Sequence, residues 1–208
     1  MGEWMTATRA MPAFPAMRVD DRVALVTGGG SGLGRAFALA LAESGADVVI
    51  TELPGKEAAA AEVIAGIEAS GRRGLAVPLD VTSIEMIETV VEAVEREFGP
   101  IDILVNNAGI NITQSCLEVT EAAWDAVLDV NLKGVFFTAQ RVARRMVERG
   151  HGKIINITSQ NGVVGYFNRA AYCSSKGGVV NLTRLLAIEL AGRGIQVNAV
   201  GPTSWKRP

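Results

Sequence analysis

Residues 22–45 read RVALVTGGGSGLGRAFALALAESG. The apolar run 22–27 has the composition of a strand, and 34–45 has the Ala- and Leu-rich periodicity of a helix that stops at Gly45. Between them lies TGGGSGLG, residues 27–34. The spacing is not GxGxxG, which from Gly28 would need glycine at Leu33 and from Gly30 would need it at Arg35. It is TGxxxGxG, with Gly28, Gly32 and Gly34 at the motif positions. Glycines permit the tight turn and let backbone approach a pyrophosphate, while the helix start offers open N–H groups and a positive dipole end. An ordinary glycine-rich turn would hold the same residues; the strand-to-helix placement is what favours dinucleotide binding.

Outward from this turn the alternation continues. Strands are expected at 47–51, 74–80, 101–107, 153–159 and 195–200. Helices are expected at 56–71, at 83–99 with Thr82 as cap, through a long region of about 120–149, and at 170–192. Strict strand–helix alternation means βαβ units with right-handed crossovers, hence an α/β doubly wound parallel sheet in three layers with six strands. Ligands of such sheets bind at the carboxyl ends of the strands. No linker or repeat divides the chain, so residues 21–208 are expected to form one dinucleotide-binding catalytic domain. Residues 1–20 contain two prolines and no signal-like apolar stretch, and read as a flexible leader in which Met17 is a candidate start.

Composition narrows the function classes. Of 208 residues, 49% are hydrophobic and 20% charged, which suits a globular core rather than disorder. A net charge of -2 supplies no basic field for nucleic acid or anionic lipid. No apolar stretch is long enough to span a bilayer, so no membrane partner is expected. Cys116 and Cys173 form no CxxC pair, which fits a reducing, cytoplasmic setting. The single histidine, His151, reads as a turn residue, and no metal site is expected.

Several positions carry candidate chemistry. Glu52 ends the second strand, eighteen residues after Gly34. A carboxylate there can accept both adenosine ribose hydroxyls and would repel a 2′-phosphate. The turn itself holds Ser31 and no basic residue before Gly34, so NAD is favoured over NADP. Asp80 could accept from an adenine amino group or could cap the next helix. NNAG, 106–109, closes the fourth strand, and its amides could equally satisfy loop backbone. SQNGVVGYFNRAAYCSSK, 159–176, places a hydroxyl, a phenol and an amine in order. On a helix, positions i and i+4 share a face, which puts Lys176 beside Tyr172.

TGGGSGLG, DVT, NNAG, VNLKG, ITS, YCSSK and VNAVGP occur in the order and at the spacing of the short-chain dehydrogenase/reductase family, which the chain resembles over about 21–202. The resemblance implies a Rossmann fold with strand order 3-2-1-4-5-6 and nicotinamide chemistry on a secondary alcohol or ketone. It implies a catalytic set of Asn131, Ser159, Tyr172 and Lys176. Tyr172 would be the general acid/base, Ser159 would hold the substrate oxygen, Lys176 would assist the phenol and bind the nicotinamide ribose, and Asn131 would support a water-mediated proton relay. Cofactor contacts are implied for Gly28, Ser31, Gly32, Leu33, Gly34, Glu52, Asp80, Val81, Asn107, Ala108, Gly109 and Pro202, with Tyr172 and Lys176. A homodimer through 120–149 and 170–192 is also implied.

The chemistry is consistent with these groups. Oxidising an alcohol removes a hydroxyl proton, and a free phenol titrates at about 10, too high for an efficient base near neutrality. A cation nearby favours the phenolate. Cys173 is expected on another face of the helix as a small core thiol, Trp124 as packing, and the basic run 141–150 as a solvated helix face. Past VNAVGP the chain departs from the family pattern: Thr203 stands where glycine is common, and TSWKRP resembles no substrate lid. A truncated product lacking the lid and a seventh strand is therefore expected, with 195–200 as an exposed apolar edge prone to pairing. The alternatives to NAD-dependent oxidoreduction are an impaired dinucleotide-binding fragment and an NADP-dependent 3-oxoacyl reductase.

Overall fold

A computed structural model describes residues 17–203. Six parallel strands, β1 Val23–Thr27, β2 Asp47–Glu52, β3 Gly74–Pro78, β4 Ile101–Asn106, β5 Gly152–Ile157 and β6 Ile195–Val200, form one sheet. Their order is β3-β2-β1-β4-β5-β6, as the resemblance implied. Every residue of β1 and β4 is buried, the mark of central strands covered on both faces. Helices α1 Gly32–Glu43 and α2 Glu57–Ala69 cover one face, burying Ala38, Ala42, Val63 and Ile67 against Val26, Val48 and Ile50. Helices α3 Ile84–Glu97, α5 Val135–Arg149 and α6 Ala170–Ala191 cover the other, where Ile87, Val142, Met146 and Leu186 meet Leu25, Leu104 and Ile154.

Three expectations differ in detail. Helix α3 is capped by Ser83, whose Oγ accepts from Met86 N at 3.2 Å, and not by Thr82. The Thr82 hydroxyl donates instead to Asp80 Oδ1 at 2.8 Å, so Asp80 closes a local turn rather than capping the helix. The region 120–149 is not one regular helix. Thr120 caps α4 Glu121–Leu128, a π-helical turn follows at Asp129–Gly134, and α5 then begins. Gly134 is needed at this join, because a β-carbon there would meet Val81 O at 2.8 Å.

The basic run of α5 is not a solvated face. Arg141 pairs with Glu88 at 2.6 Å, Arg145 with Glu92 at 3.3 Å and Arg149 with Glu95 at 2.9 Å, so α5 is stitched to the acidic face of α3. Strand β6 lies at a sheet edge, and Ala199 and Val200 at its end are exposed. Ile195 and Val197 are buried while Gln196 and Asn198 are exposed, and Gln196 Oε1 accepts from Lys153 Nζ at 2.6 Å. The expected leader falls mostly outside the described residues, as do residues 204–208. Within it, Val19 is tied down, its N–H donating to Ser44 O at 2.9 Å and its side chain packing on the α1–α2 side.

Buried amides lock the middle of the sheet. Asn106 Nδ2 donates to Asn156 Oδ1 at 2.9 Å across the β4–β5 pair, and Asn156 Nδ2 donates to Thr183 Oγ1 of α6 at 3.0 Å. Unpaired buried amides are costly, so this chain fixes both the register and the seating of α6. Helix α6 in turn carries Tyr172 and Lys176.

Candidate active site

The carboxyl ends of the strands open onto two adjoining clefts. The first, of about 400 Å³, is lined by Gly28, Ser31, Gly32, Leu33, Glu52, Asp80, Val81, Asn107, Ala108 and Gly109. Every residue expected there except Gly34, Pro202 and the Tyr172–Lys176 pair therefore converges on it. Gly28 and Gly32 have φ of 63° and 53°, left-handed values that favour glycine. Gly34 has a different role: it is buried, and a β-carbon on it would collide with the Gly28 carbonyl oxygen, so it sets how closely α1 packs on β1.

The residues just after β4 hold this turn in place. Thr27 Oγ1 accepts from Asn107 N at 3.0 Å and Ala108 N at 3.1 Å. Asn107 Nδ2 donates to Thr27 O at 3.0 Å and Gly28 O at 2.9 Å. Glu52 Oε1 accepts from Gly30 N at 2.7 Å, so one carboxylate oxygen braces the turn. Ser31 precedes α1 in extended conformation and makes no side-chain cap, which leaves the first N–H groups of the helix without a side-chain partner. Narrow glycine backbone, an open helix N-terminus and a carboxylate at the second strand fit a dinucleotide.

The second cleft, of about 380 Å³, shares Leu33, Asn107, Gly109 and Ile110 with the first. Ser159, Tyr172, Lys176 and Pro202 line it. Lys176 is 4% exposed; its Nζ donates to Ile157 O at 2.7 Å and lies 5.8 Å from the Tyr172 ring centroid. Burial pulls the lysine down to about 8 from its ordinary 10.5, because desolvation disfavours the ammonium. Helix α6 is seated by contacts that fix this pair: Thr158 Oγ1 donates to Lys176 O at 2.9 Å, and a β-carbon on Gly162 would meet the same oxygen at 2.7 Å. Ser159 lies just beyond β5, where its Oγ accepts from Asn161 N at 3.1 Å in a 3-10 turn at Gln160–Gly162.

Asn131 lines neither cleft. It is fully buried in the π-helical turn, where Oδ1 accepts from Ile110 N at 2.8 Å and Nδ2 donates to Ile110 O at 2.9 Å and Ser175 Oγ at 3.1 Å. Ser175 Oγ donates to Tyr172 O at 2.8 Å. The Asn131 side chain thus braces the loop after β4 and the helix turn that carries the phenol.

Sequence reasoning missed Arg169 and Tyr166 in the second cleft and Lys56 in the first. Arg169 stands three residues before Tyr172 at the start of α6, one helical turn from the phenol, and that spacing was the available signal. Trp124 lines neither cleft, Cys173 is half-buried and unpaired, and His151 is an exposed residue between α5 and β5, 3.6 Å from Asp102. Among the described residues no cluster of His, Cys, Asp and Glu could hold a metal ion, and no helix is long and apolar enough to cross a membrane.

Known proteins match along almost all of this framework. The family model described as short chain dehydrogenase matches residues 22–207. D-threitol dehydrogenase of Mycolicibacterium smegmatis is 41% identical over 201 residues, covering 96% of this chain and 76% of that protein. A 3-oxoacyl-(acyl-carrier-protein) reductase of Thermotoga maritima is 43% identical over 194 residues, covering 92% and 77%. The crystal structure of NAD+-bound xylitol dehydrogenase superposes with a TM-score of 0.87 at 35% identity, covering 91% and 72%. Matched across both clefts and all six strands, the chain belongs to the short-chain dehydrogenases, dinucleotide-dependent oxidoreductases that act on CH–OH groups.

Proposed function

We propose that this enzyme interconverts a secondary alcohol and a ketone with NAD as its preferred cofactor, using Tyr172 as general acid/base. The observation that carries the proposal is the seating of Lys176 Nζ beside the Tyr172 ring in the cleft that Ser159 also lines. Gly28, Ser31, Gly32, Glu52 and Asp80 would hold the dinucleotide, which when bound supplies the hydride acceptor or donor. Tyr172 takes the hydroxyl proton in oxidation and returns it in reduction. Ser159 holds the reacting oxygen, and the Lys176 ammonium favours the phenolate. Asn131 acts by holding the Ile110 loop and the Ser175 turn in register.

Replacing Tyr172 by Phe removes the proton carrier and keeps the ring. Turnover should fall by at least about a hundredfold while NADH affinity, read by its fluorescence, stays within about twofold. Turnover comparable to the parent would refute the assignment. Dinucleotide binding without turnover on any alcohol or ketone would identify an impaired binding protein instead.

NAD preference is supported by Glu52 and by the absence of a basic side chain in the turn. One observation favours a second reading, NADP-dependent 3-oxoacyl reduction: Lys56, exposed on the rim of the same cleft, is a cation within reach of that end of the dinucleotide site. Comparing NAD and NADP dissociation constants decides between them. The reading extends to a cytoplasmic homodimer joined through α5 and α6. Its support is the groove between them, lined by Phe136, Ala143, Val147, Leu186 and Leu190, with Ile188 79% exposed nearby. Two free cysteines fit a reducing compartment.

A further inference from the structure

The catalytic cleft has a charge pattern that proton transfer alone does not need. Among the described residues that line it, two are cations, Lys176 and Arg169, and none is an acid. Lys176 is occupied by Ile157 O and by its place beside the phenol. Arg169 has no carboxylate partner among the described residues. Its guanidinium carbon instead lies 5.2 Å from the Tyr166 ring centroid and 6.0 Å from that of Tyr172, so aromatic faces hold the fork without using its N–H donors.

The backbone under Arg169 is fixed from two sides. Arg169 O accepts from Cys173 N at 2.8 Å, Gln114 N donates to Asn168 O at 3.1 Å, and Gln114 bridges Arg169 in parallel fashion. Asn168 reaches the left-handed region at φ 57°, a conformation asparagine tolerates better than most side chains, and this turns the chain so that the next side chain enters the cleft. A half-buried, positioned cation with open donors, in a cleft that no acid lines among the described residues, is a receptor for a carboxylate. Asn111 and Asn161 supply neutral donors and acceptors along the same walls, suited to hydroxyl groups.

We propose that Arg169 is a specificity-determining residue that binds the carboxylate of a polyhydroxy acid, so that the substrates are sugar acids and their keto forms in preference to neutral polyols. The proposal rests on the oxidoreductase reading for the bond that reacts, but its recognition element stands on Arg169 alone. D-gluconate and D-glucitol differ only in carrying a carboxylate or a hydroxymethyl group at one end, which makes them a matched pair of probes. Each is titrated into the full chain saturated with NADH, with binding followed by calorimetry, and each is separately assayed for turnover with NAD.

D-gluconate should bind at least about tenfold tighter, equivalent to about 1.4 kcal/mol. Arg169→Gln should erase that difference while leaving D-glucitol within about twofold, and Arg169→Lys should restore part of it. Equal affinity of the two probes for the parent chain, or parallel losses for both in Arg169→Gln, would overturn the proposal. An Arg169-dependent preference without turnover of either probe or of any other alcohol or ketone would sink the oxidoreductase reading and leave the carboxylate site standing. Turnover of D-glucitol with no preference would do the reverse.

Discussion

At Gly34 any β-carbon would run into the Gly28 carbonyl, which belongs to the glycine turn lining the first cleft. Gly34→Ala must therefore push α1 away from β1, at a cost of about 1–3 kcal/mol. Thermal unfolding should show a melting temperature roughly 2–12 °C lower, with weaker dinucleotide binding. Glu52 has two duties at one residue: it braces Gly30 N and presents charge to the cleft. Glu52→Gln keeps the shape and loses the charge, so NAD and NADP affinities should converge; an unchanged ratio in paired fluorescence titrations would remove Glu52 as the discriminator. The positions of Gly28, Gly32, Glu52, Tyr172 and Lys176 at the clefts were legible in the sequence because each sits on its own strand end, turn or helix face. The bracing role of Asn131 and the place of Arg169 were not, because they depend on loops 110–114 and 163–169, whose folding no periodicity announces.

Strands and helices followed from period and composition, since each element buries one repeating face. What periodicity could not show was which charged face meets which. The arginines of α5 read as solvated until α3 brought its glutamates across. These pairs should differ in worth. Arg149 is one-quarter exposed or less, donating to Glu95 and, at 2.8 Å, to Ile101 O. Arg149→Met takes a donor from the Ile101 carbonyl and leaves Glu95 with only the longer Arg145 and Ile101 N contacts, at 3.9 and 3.4 Å, and should cost about 1–3 kcal/mol in urea unfolding. Arg145 is more exposed, and Arg145→Ala should cost about 0–1 kcal/mol and lose most of even that in high salt.

For the whole molecule, burial of Lys176 makes stability depend on alkaline pH. The folded chain releases this proton at about 8 and the unfolded chain near 10.5, so between those values the unfolded state holds more protons and stability rises with pH. The slope from this group is up to about 1.4 kcal/mol per pH unit, and below pH 8 the penalty is carried in full. Lys176→Met removes the slope. Urea midpoints of parent and variant measured from pH 7.5 to 10 should shift in the parent's favour as pH rises, and parallel curves would deny the lysine its buried charge. Assembly is a separate matter: if α5 and α6 join two copies, Ile188→Lys should halve the mass seen by light scattering without altering monomer folding.

The π-helical turn between α4 and α5 has one residue more than an α-helix would use. Deleting a single position within Asp129–Gly134 would let the two helices fuse into one unbroken rod. Everything upstream would then swing by about 100°. The hydrophobic faces of α5 could stay seated, so such a shortened protein could keep its sheet while its cleft lost the amide that aligns Ile110 with Tyr172. The surplus residue is thus a phase adjustment, separating the rotation that folding requires from the rotation that the reactive groups require.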